Sequence, residues 1–81
     1  MFLEIITPEK KIFSGDVKLV KAPGAKGSFE IMTKHAPIIS ILEKGQIKII
    51  DTNGQTTFIE IGGGVLESQD DKIIVLAEPA A

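Results

Sequence analysis

The chain contains no cysteine, arginine, tryptophan or tyrosine, and it has a single histidine among its 81 residues. Without cysteine, neither a disulfide nor a thiolate zinc site can hold the fold, and a reducing compartment fits this composition. Nucleic-acid modules use a basic face together with arginine contacts or aromatic stacking, and this chain has four phenylalanines and a net charge of −2. We therefore expect no nucleic-acid partner.

Long hydrophobic segments are also missing. The longest apolar runs, Ile73–Ala77 and nearly Ile38–Leu42, are far shorter than the roughly 20 residues that a membrane-spanning helix needs. The first residues, Met1–Glu4, do not combine a basic region with a long apolar stretch, as a signal peptide does. We expect neither direct membrane insertion nor secretion.

What the chain does have is β-forming apolar residues, at 43% hydrophobic and mostly isoleucine, valine and leucine. They alternate with polar residues at period two, in short segments that are separated by glycine, proline, asparagine and aspartate. No segment combines helical periodicity with caps over a useful length. The pattern predicts one all-β domain over residues 1–81, an antiparallel β-sandwich of roughly eight to ten short strands.

Two hairpins are predicted from turn signals. Asp51–Gln55 contains Asn-Gly, which accepts the positive φ angles of a tight turn, so Gln46–Ile50 should pair antiparallel with Thr56–Ile61. The turn at Ser68–Asp71 lies between Val65–Glu67 and Lys72–Leu76, and it predicts that these two segments form a second hairpin.

Elsewhere we expect Ser14–Asp16 to form a turn that separates Ile12–Phe13 from the strand Val17–Ala22.

The single histidine, His35, is the first candidate for catalysis because its side chain titrates near neutral pH. A general base also needs a nucleophile, an electrophile or a metal, and the sequence shows none of these for His35. Ala36 precedes Pro37 and is therefore biased to extended backbone, which stiffens the loop. A stiff loop presents side chains at low entropic cost, so a protein contact is favoured over catalysis.

Two other features have a functional and a structural interpretation. Gly62–Gly64 could bind phosphate, but the glycines lead into a strand and lack the Gly-Lys-Ser/Thr of a P-loop, so a bend or a close backbone approach is favoured. Asp71-Lys72-Ile73 at a hairpin resembles the lysine turn of lipoyl carrier domains. A carrier domain modified on Lys72 therefore stays open as an alternative function, although carriers place that lysine at mid-chain.

A set of motifs in one order resembles a single family, the N-terminal β-sandwich of the epsilon subunit of F-type ATP synthase. The resemblance covers nearly the whole chain, from about Phe2 to Glu78, and no single motif decides it. The motifs that carry it are Phe13–Val17, Pro23-Gly24, Gly27–Ile31, His35-Ala36-Pro37, Leu42 with Gly45–Ile47, Gly62–Glu67, and Val75–Ala77.

The resemblance implies a non-catalytic rotor component of the central stalk, working in a hetero-oligomer. It implies binding to the gamma subunit and to the membrane-embedded c-type ring, with no catalytic residue, cofactor or metal. The implied gamma contacts are Thr7, His35, Ala36, Pro37 and Ser40. The implied ring contacts are Lys26, Gly27, Ser28 and Phe29.

Departures from the family pattern qualify what the resemblance implies. Many relatives have glycine where Glu30 stands and Pro-Gly where Thr33-Lys34 stands, so a different path is expected for the loop before His35. The family usually continues into a helical hairpin that inhibits ATP hydrolysis, and the sequence stops at Ala81 without it. The resemblance and the missing transit peptide imply a peripheral protein on the cytoplasmic side of a bacterial inner membrane.

Overall fold

The computed structural model describes residues 1–33 and 36–80, and that part of the chain contains eight β-strands and no helix. The predicted all-β class is therefore confirmed. The strands in chain order are β1 (Phe2–Ile6), β2 (Lys11–Ala22), β3 (Phe29–Met32), β4 (Ile38–Leu42), β5 (Gly45–Asp51), β6 (Thr56–Ile61), β7 (Gly64–Gln69) and β8 (Lys72–Ala77).

Strand β2 belongs to both sheets of the sandwich. Its first half pairs with β1, so the first sheet has the order β4-β7-β8-β1-β2. Its second half, from Val17, lies between β3 and β5 and extends through β5 to β6 as the second sheet. A register shift between Val17 and Leu19 in the pairing of β2 with β5 marks the change of partner.

The predicted turn at Ser14–Asp16 is wrong, because these residues lie inside β2, opposite Glu4 to Phe2 of β1. Ser14 and Asp16 are exposed, so their polar side chains lie on the solvent side of a continuous strand. The residue types that signal a turn are tolerated here because β1 satisfies the backbone.

One pairing departs from the antiparallel pattern. β1 and β8 run parallel, with Phe2 opposite Lys72 and Ile6 opposite Leu76. All other named strand pairs are antiparallel. The pairing of β1 with β8 brings the first and the last strand of the described sequence together in the first sheet.

Both predicted hairpins are confirmed, and they are built differently. At the turn between β5 and β6, the Asp51 carboxylate accepts the backbone N–H groups of Asn53 and Gln55, both at 2.9 Å, and Gly54 takes a φ of 84°. At the turn between β7 and β8, Asp70 and Asp71 have φ values of 51° and 62°. Two consecutive left-handed residues are typical of a type I′ turn.

The core lies between the sheets and consists of the alternate residues that the period-two pattern places on one face of each strand. Its buried members are Leu3, Ile5, Val17, Val20, Ala22, Ile31, Leu42, Ile47, Ile49, Ile61, Leu66, Ile73, Val75 and Ala77.

The glycine run Gly62–Gly64 is a site of close backbone approach, as predicted. The Gly62 N–H donates to the Glu78 carbonyl, and the Glu78 N–H donates to the Gly63 carbonyl, both at 2.8 Å. Gly64 has a φ of 148°, and a Cβ atom there would collide with the Leu76 carbonyl oxygen. The run therefore lets the start of β7 lie against the end of β8.

Candidate docking surfaces

A row of apolar side chains crosses the outer face of the first sheet. Strand register places Ile41 of β4 opposite Val65, Val65 opposite Leu76, and Leu76 opposite Ile6 of β1. The inner-face neighbours of these residues along each strand are buried or half-buried, so the four point away from the core. We call Ile41, Val65, Leu76 and Ile6 the apolar row.

The apolar row is accessible to a partner. Ile41, Leu76 and Val65 are 68%, 57% and 41% exposed, and Ile39 on the same face of β4 is 75% exposed. These four are among the six exposed large hydrophobic residues of the described chain. Because a contiguous exposed apolar patch on a small domain marks an interaction site, this face is the best candidate for a protein contact.

A charged cluster borders the apolar row on β1 and its neighbours. The Glu4 carboxylate lies 2.6 Å from Lys11 Nζ and 3.6 Å from Lys72 Nζ, and its side chain is only 15% exposed. The hydrogen bond from Lys11 is the largest cause that lowers the pKa of Glu4 below its ordinary value, with the charges of Lys11 and Lys72 adding to it against partial desolvation. Glu4 is therefore held ionised.

Thr7, an implied gamma contact, follows β1 directly and is 9% exposed. Its hydroxyl donates to the Lys10 carbonyl at 3.1 Å and accepts the Lys10 N–H at 3.3 Å. The side chain therefore closes the turn between β1 and β2. Thr7 also lines a cleft of about 290 Å³ with Ile12, Glu60 and others near the end of β8.

Ser40, a second implied gamma contact, lies on the edge strand β4. It is opposite the buried Leu66, so its side chain lies toward the inner side of the strand, where it is half-buried. Its hydroxyl lies 3.4 Å from the Ile41 carbonyl oxygen. Three strand spacings separate Ser40 from Thr7, a distance of roughly 14 Å across the sheet.

The remaining implied gamma contacts precede β4. Ala36 and Pro37 are exposed, and Pro37 lines a shallow cleft of about 330 Å³ with Ile39 and Glu67. His35 lies outside the described residues, as does Lys34. Pro37 is at the opposite end of the strands from Thr7, since β4 runs antiparallel to β7 and Thr7 follows the far end of β1.

The implied ring contacts form the tip of the β2–β3 hairpin. Gly27 N–H donates to the Gly24 carbonyl at 3.0 Å and Gly27 has a φ of 122°, which closes a tight turn. Lys26, Gly27 and Ser28 are exposed, whereas Phe29 is half-buried and packs against the core. A cleft of about 350 Å³ is lined both by Gly24, Phe29 and other residues of this hairpin and by Ile39, Ser40 and Ile41 of β4. The structure thus brings Ser40 beside the implied ring loop.

The outer face of the second sheet has a different composition. Register places Glu30, Lys21, Lys48 and Phe58 in one row across it. Met32 and Phe58 are the exposed large hydrophobics of this sheet, at 56% and 58%, and they lie on its two opposite edge strands. A second row on this face, Met32, Leu19 and Ile50, is apolar, but Leu19 and Ile50 are half-buried, so among its described strands the second sheet has fewer exposed large hydrophobic residues than the first.

No cluster of three or more histidine, cysteine, aspartate or glutamate side chains that could bind a metal occurs in the part of the chain that the structure describes. Among those same residues there is also no helix with the length and hydropathy to cross a bilayer. Lys72, the candidate for covalent modification, is 51% exposed and lies within ion-pair distance of Glu4.

The sequence reasoning missed the apolar row. Its signal was present, because β4 and β8 are apolar at consecutive positions, as in Ile38-Ile39 and Ile73–Ala77. In an antiparallel sandwich with one face in water, such strands have more apolar residues than the core can bury. If every residue of these runs is assigned to the core, the exposed residues on the outer face are overlooked.

Comparisons with known proteins agree with the family resemblance of the sequence. The family model described as ATP synthase, Delta/Epsilon chain, beta-sandwich domain matches residues 1–81. The ATP synthase epsilon chain of Campylobacter hominis is 42% identical over 81 residues, covering 99% of this chain and 62% of its own length. That of Alkalilimnicola ehrlichii is 36% identical over 81 residues, covering 100% and 58%. The chain thus spans about three-fifths of the length of these relatives.

Two solved structures share the fold. A chain in the cryo-EM structure of the Euglena gracilis mitochondrial ATP synthase, containing OSCP, F1 and the c-ring, superposes with a TM-score of 0.89 at 16% identity, covering 98% of this chain and 51% of that one. A chain in the central stalk and c-ring structure of the Tetrahymena thermophila mitochondrial ATP synthase gives 0.79 at 18% identity, covering 96% and 63%. At these identities the similarity concerns the fold alone.

Proposed function

This chain belongs to the family of the ATP synthase Delta/Epsilon chain beta-sandwich domain, and we propose that it acts as a non-catalytic rotor subunit in the central stalk of that enzyme. In this role it binds the gamma subunit on one surface and the membrane-embedded c-type ring on another. It thereby couples rotation, driven by proton or sodium flow, to ATP synthesis. The chain works in a hetero-oligomer at the periphery of a membrane, on the cytoplasmic side of the inner membrane in a bacterium.

The apolar row is the observation that supports the gamma contact most directly. It runs across the outer face of the first sheet from Ile6, the neighbour of Thr7, to Ile41, the neighbour of Ser40. Thr7 is buried and the Ser40 side chain lies on the inner side of its strand, so the exposed residues of the apolar row, and not these two side chains, would form the contact. Burying the apolar row against a partner is favourable in proportion to the apolar area removed from water.

The size of the domain allows this mode of binding. A stable protein interface buries roughly 800 Å² per partner, which is about a sixth of the chain's accessible surface of 4962 Å². The apolar row would form the centre of such an interface, and Glu4 with its lysines would lie at the rim. A second, smaller contact would lie at Lys26–Phe29, where Lys26, Gly27 and Ser28 are exposed, and the cleft shared with Ile39 and Ile41 places it beside the apolar row at β4.

A β-sandwich with a close-packed core suits a part that transmits torque. Its core residues are almost completely buried, and strand β2 belongs to both sheets, so the sheets cannot slide apart without breaking the ladders of β2. Rigid, close-packed interiors transmit strain with little deformation. The carrier-domain alternative for Lys72 has no support from the family assignment, and we do not propose it.

The proposal is tested by measuring the affinity of the chain for the gamma subunit from the same source. The informative variant is Leu76→Glu, in the apolar row, and its control is Phe58→Glu, which changes an equally exposed residue on the second sheet. We expect Leu76→Glu to weaken binding by roughly 30-fold, about 2 kcal/mol, because it places a charge in the centre of the interface. Phe58→Glu should stay within about twofold of the original chain.

Equal losses in the two variants would contradict the placement of gamma on the first sheet. If the unchanged chain and gamma elute separately at micromolar concentration, the proposed function itself loses its main support. Circular dichroism of both variants should match that of the original chain, since both side chains are exposed.

A further inference from the structure

The hairpin that carries the implied ring contacts is attached to the neighbouring edge strand β4. The Ala25 N–H donates to the Ile41 carbonyl at 2.9 Å, and the Glu43 N–H donates to the Pro23 carbonyl at 2.9 Å. Gly24 forms an isolated β-bridge with Leu42 between these two bonds. The hairpin therefore has a backbone connection to β4 in addition to its own strands.

Gly24 makes this attachment sterically possible. It is buried, and a Cβ atom on it would lie 2.6 Å from the Gly27 carbonyl oxygen and 2.8 and 2.9 Å from two ring carbons of Phe29. Those separations are shorter than any van der Waals contact, and one of the obstructing atoms belongs to the backbone. Gly24 does not have the left-handed backbone conformation that favours glycine, so glycine is needed here for space and not for its φ angle.

We propose that Gly24 is the positioning residue of the ring-contact hairpin, and that Pro23–Gly27 and β4 form one rigid joint. This inference rests on the proposed function, because it concerns how the two proposed contact surfaces are connected. The joint places Lys26–Phe29 at a fixed position relative to Ile41, the end of the apolar row. Load applied at the hairpin tip is then carried directly into the strand that contacts gamma.

The alternative is a hairpin held only by its own two strands. β5 holds the other side of β2 as far as Lys21, and β3 is a four-residue edge strand, so beyond Lys21 only the pairing of β2 with β3 would hold the hairpin tip. The bonds from Ala25 and Glu43 to β4 and its end hold the tip in addition to that pairing.

The experiment compares Gly24→Ala with the matched control Gly15→Ala in the full 81-residue chain. At Gly15 the nearest atoms to an added Cβ are the Phe13 ring carbons at 3.9 Å, which is ordinary contact, and its φ is not left-handed. Amide hydrogen exchange is measured at Ala25 and Glu43, with Leu3 and Val75 in the first sheet as internal references. Binding to the gamma subunit and to the purified, detergent-solubilised c-ring from the same source is measured for each variant.

For Gly24→Ala we expect exchange at Ala25 and Glu43 to accelerate at least roughly tenfold, while Leu3 and Val75 stay unchanged. We expect affinity for the ring to fall about tenfold and affinity for gamma to stay within about twofold. Gly15→Ala should resemble the original chain in every measurement. A second variant, Ala25→Pro, removes the N–H that bonds Ile41 without filling the space around Gly24, and it should accelerate exchange at Glu43 and weaken ring binding similarly.

The outcomes separate this inference from the function on which it rests. If amide exchange at Ala25 and Glu43 is unchanged in Gly24→Ala, the proposal of a rigid joint is wrong, whatever the binding results show. Accelerated exchange with ring affinity equal to that of Gly15→Ala overturns the positioning role. If Gly24→Ala does not fold, normal exchange at Glu43 and normal ring binding in Ala25→Pro overturn the proposal. If the original chain binds neither ring nor gamma, the proposed function fails, and the positioning role fails with it, while the exchange data still decide whether the joint exists.

Discussion

The two sheets of this domain share a core and strand β2, yet their outer faces are chemically different. On the first sheet the row Ile41, Val65, Leu76 and Ile6 is entirely apolar. On the second sheet the row Glu30, Lys21, Lys48 and Phe58 is mostly charged. The second sheet also has an apolar row, Met32, Leu19 and Ile50, but Leu19 and Ile50 are half-buried, so the larger exposed apolar area lies on the first sheet.

The same difference is visible in the sequences of individual strands. In β5, Gln46-Ile47-Lys48-Ile49 alternates strictly, which suits a sheet with one face in water. In β8, Ile73–Ala77 is apolar at every position, and its alternate residues point to the core and to the outer face. The unbroken apolar sequence of β8 thus contributes Leu76 to the apolar row while Ile73, Val75 and Ala77 fill the core.

The largest effect should come from a substitution that breaks the register of the first sheet. Gly64→Ala places a Cβ against the Leu76 carbonyl oxygen at a φ of 148°, and we expect it to lower the free energy of unfolding by roughly 3 kcal/mol or more. Gly54→Ala in the β5–β6 turn also has a positive φ, of 84°, but the nearest atom to an added Cβ is Lys18 Nζ at 3.8 Å. It should cost about 1 kcal/mol, from backbone strain alone.

Urea denaturation of both variants measures this difference. Equal destabilisation by Gly64→Ala and Gly54→Ala would show that the contact with β8 is unimportant and that the two sheets respond alike to an added methyl group.

The two hairpins sharpen the comparison with smaller effects of opposite sign. Asp51→Ala removes the acceptor of two N–H groups at the turn of the second sheet, and we expect a loss of about 1 kcal/mol. Asp71→Gly removes the backbone strain of a non-glycine residue in the left-handed conformation at the turn of the first sheet. It should stabilise the chain by roughly 0.5 to 1 kcal/mol. For a domain of this size, 1 kcal/mol corresponds to a shift of about 4 to 8 °C in Tm.

Calorimetry of the two variants provides that measurement. Asp70→Asn, which keeps a residue that tolerates the left-handed conformation and removes the charge of the neighbouring carboxylate, is the control for the charge change. A lower Tm for Asp71→Gly would mean that the Asp71 side chain, 3.7 Å from the N-terminal ammonium group, contributes more than its strain costs.

The smallest effect should be the pH dependence contributed by Glu4 at the border of the apolar row. Its lowered pKa, caused mainly by the hydrogen bond from Lys11, means that the folded state favours the ionised form. This contribution is fully present at neutral pH and is lost as the pH falls through the folded-state pKa, below the ordinary value of about 4.3. The stability difference between the original chain and Glu4→Gln should therefore shrink between pH 7 and pH 3.

Chemical denaturation at the two pH values tests this. Glu30→Gln, which removes one carboxylate from the second sheet, is the matched control. A difference between the original chain and Glu4→Gln that is the same at both pH values would rule out the proposed contribution of the Lys11 and Lys72 pairs.

Local sequence signals predicted the strands and hairpins well because those features depend on neighbouring residues. The alternation in Gln46–Ile50 and the Asn-Gly at residues 53 and 54 were sufficient to predict the pairing of β5 with β6. The Ser14–Asp16 prediction failed for a non-local reason, since β1 pairs with this segment and keeps it extended. The parallel pairing of β1 with β8 is equally invisible in local sequence.

The docking surfaces were predictable only in part. The family resemblance implied Thr7 and Ser40 as gamma contacts, which stays a prediction, and the apolar row between their strands exists only once β7 and β8 lie between β1 and β4. The role of Gly24 depends on the positions of Gly27 and Phe29 around it, which no spacing rule describes. The assignments of gamma and ring contacts to individual residues stay predictions.

The parallel neighbours β1 and β8 also constrain when the domain can fold during synthesis. Phe2 and Lys72 are about 70 residues apart in sequence, and such distant pairings make folding slow because a long loop must close first. The pairing of β5 with β6 joins residues that are close in sequence, whereas the pairing of β1 with β8 must wait until β8 has been synthesised. Until then β1 and β7 lack the strand that lies between them in the complete sheet, so apolar surface stays exposed for longer, and such exposure favours aggregation.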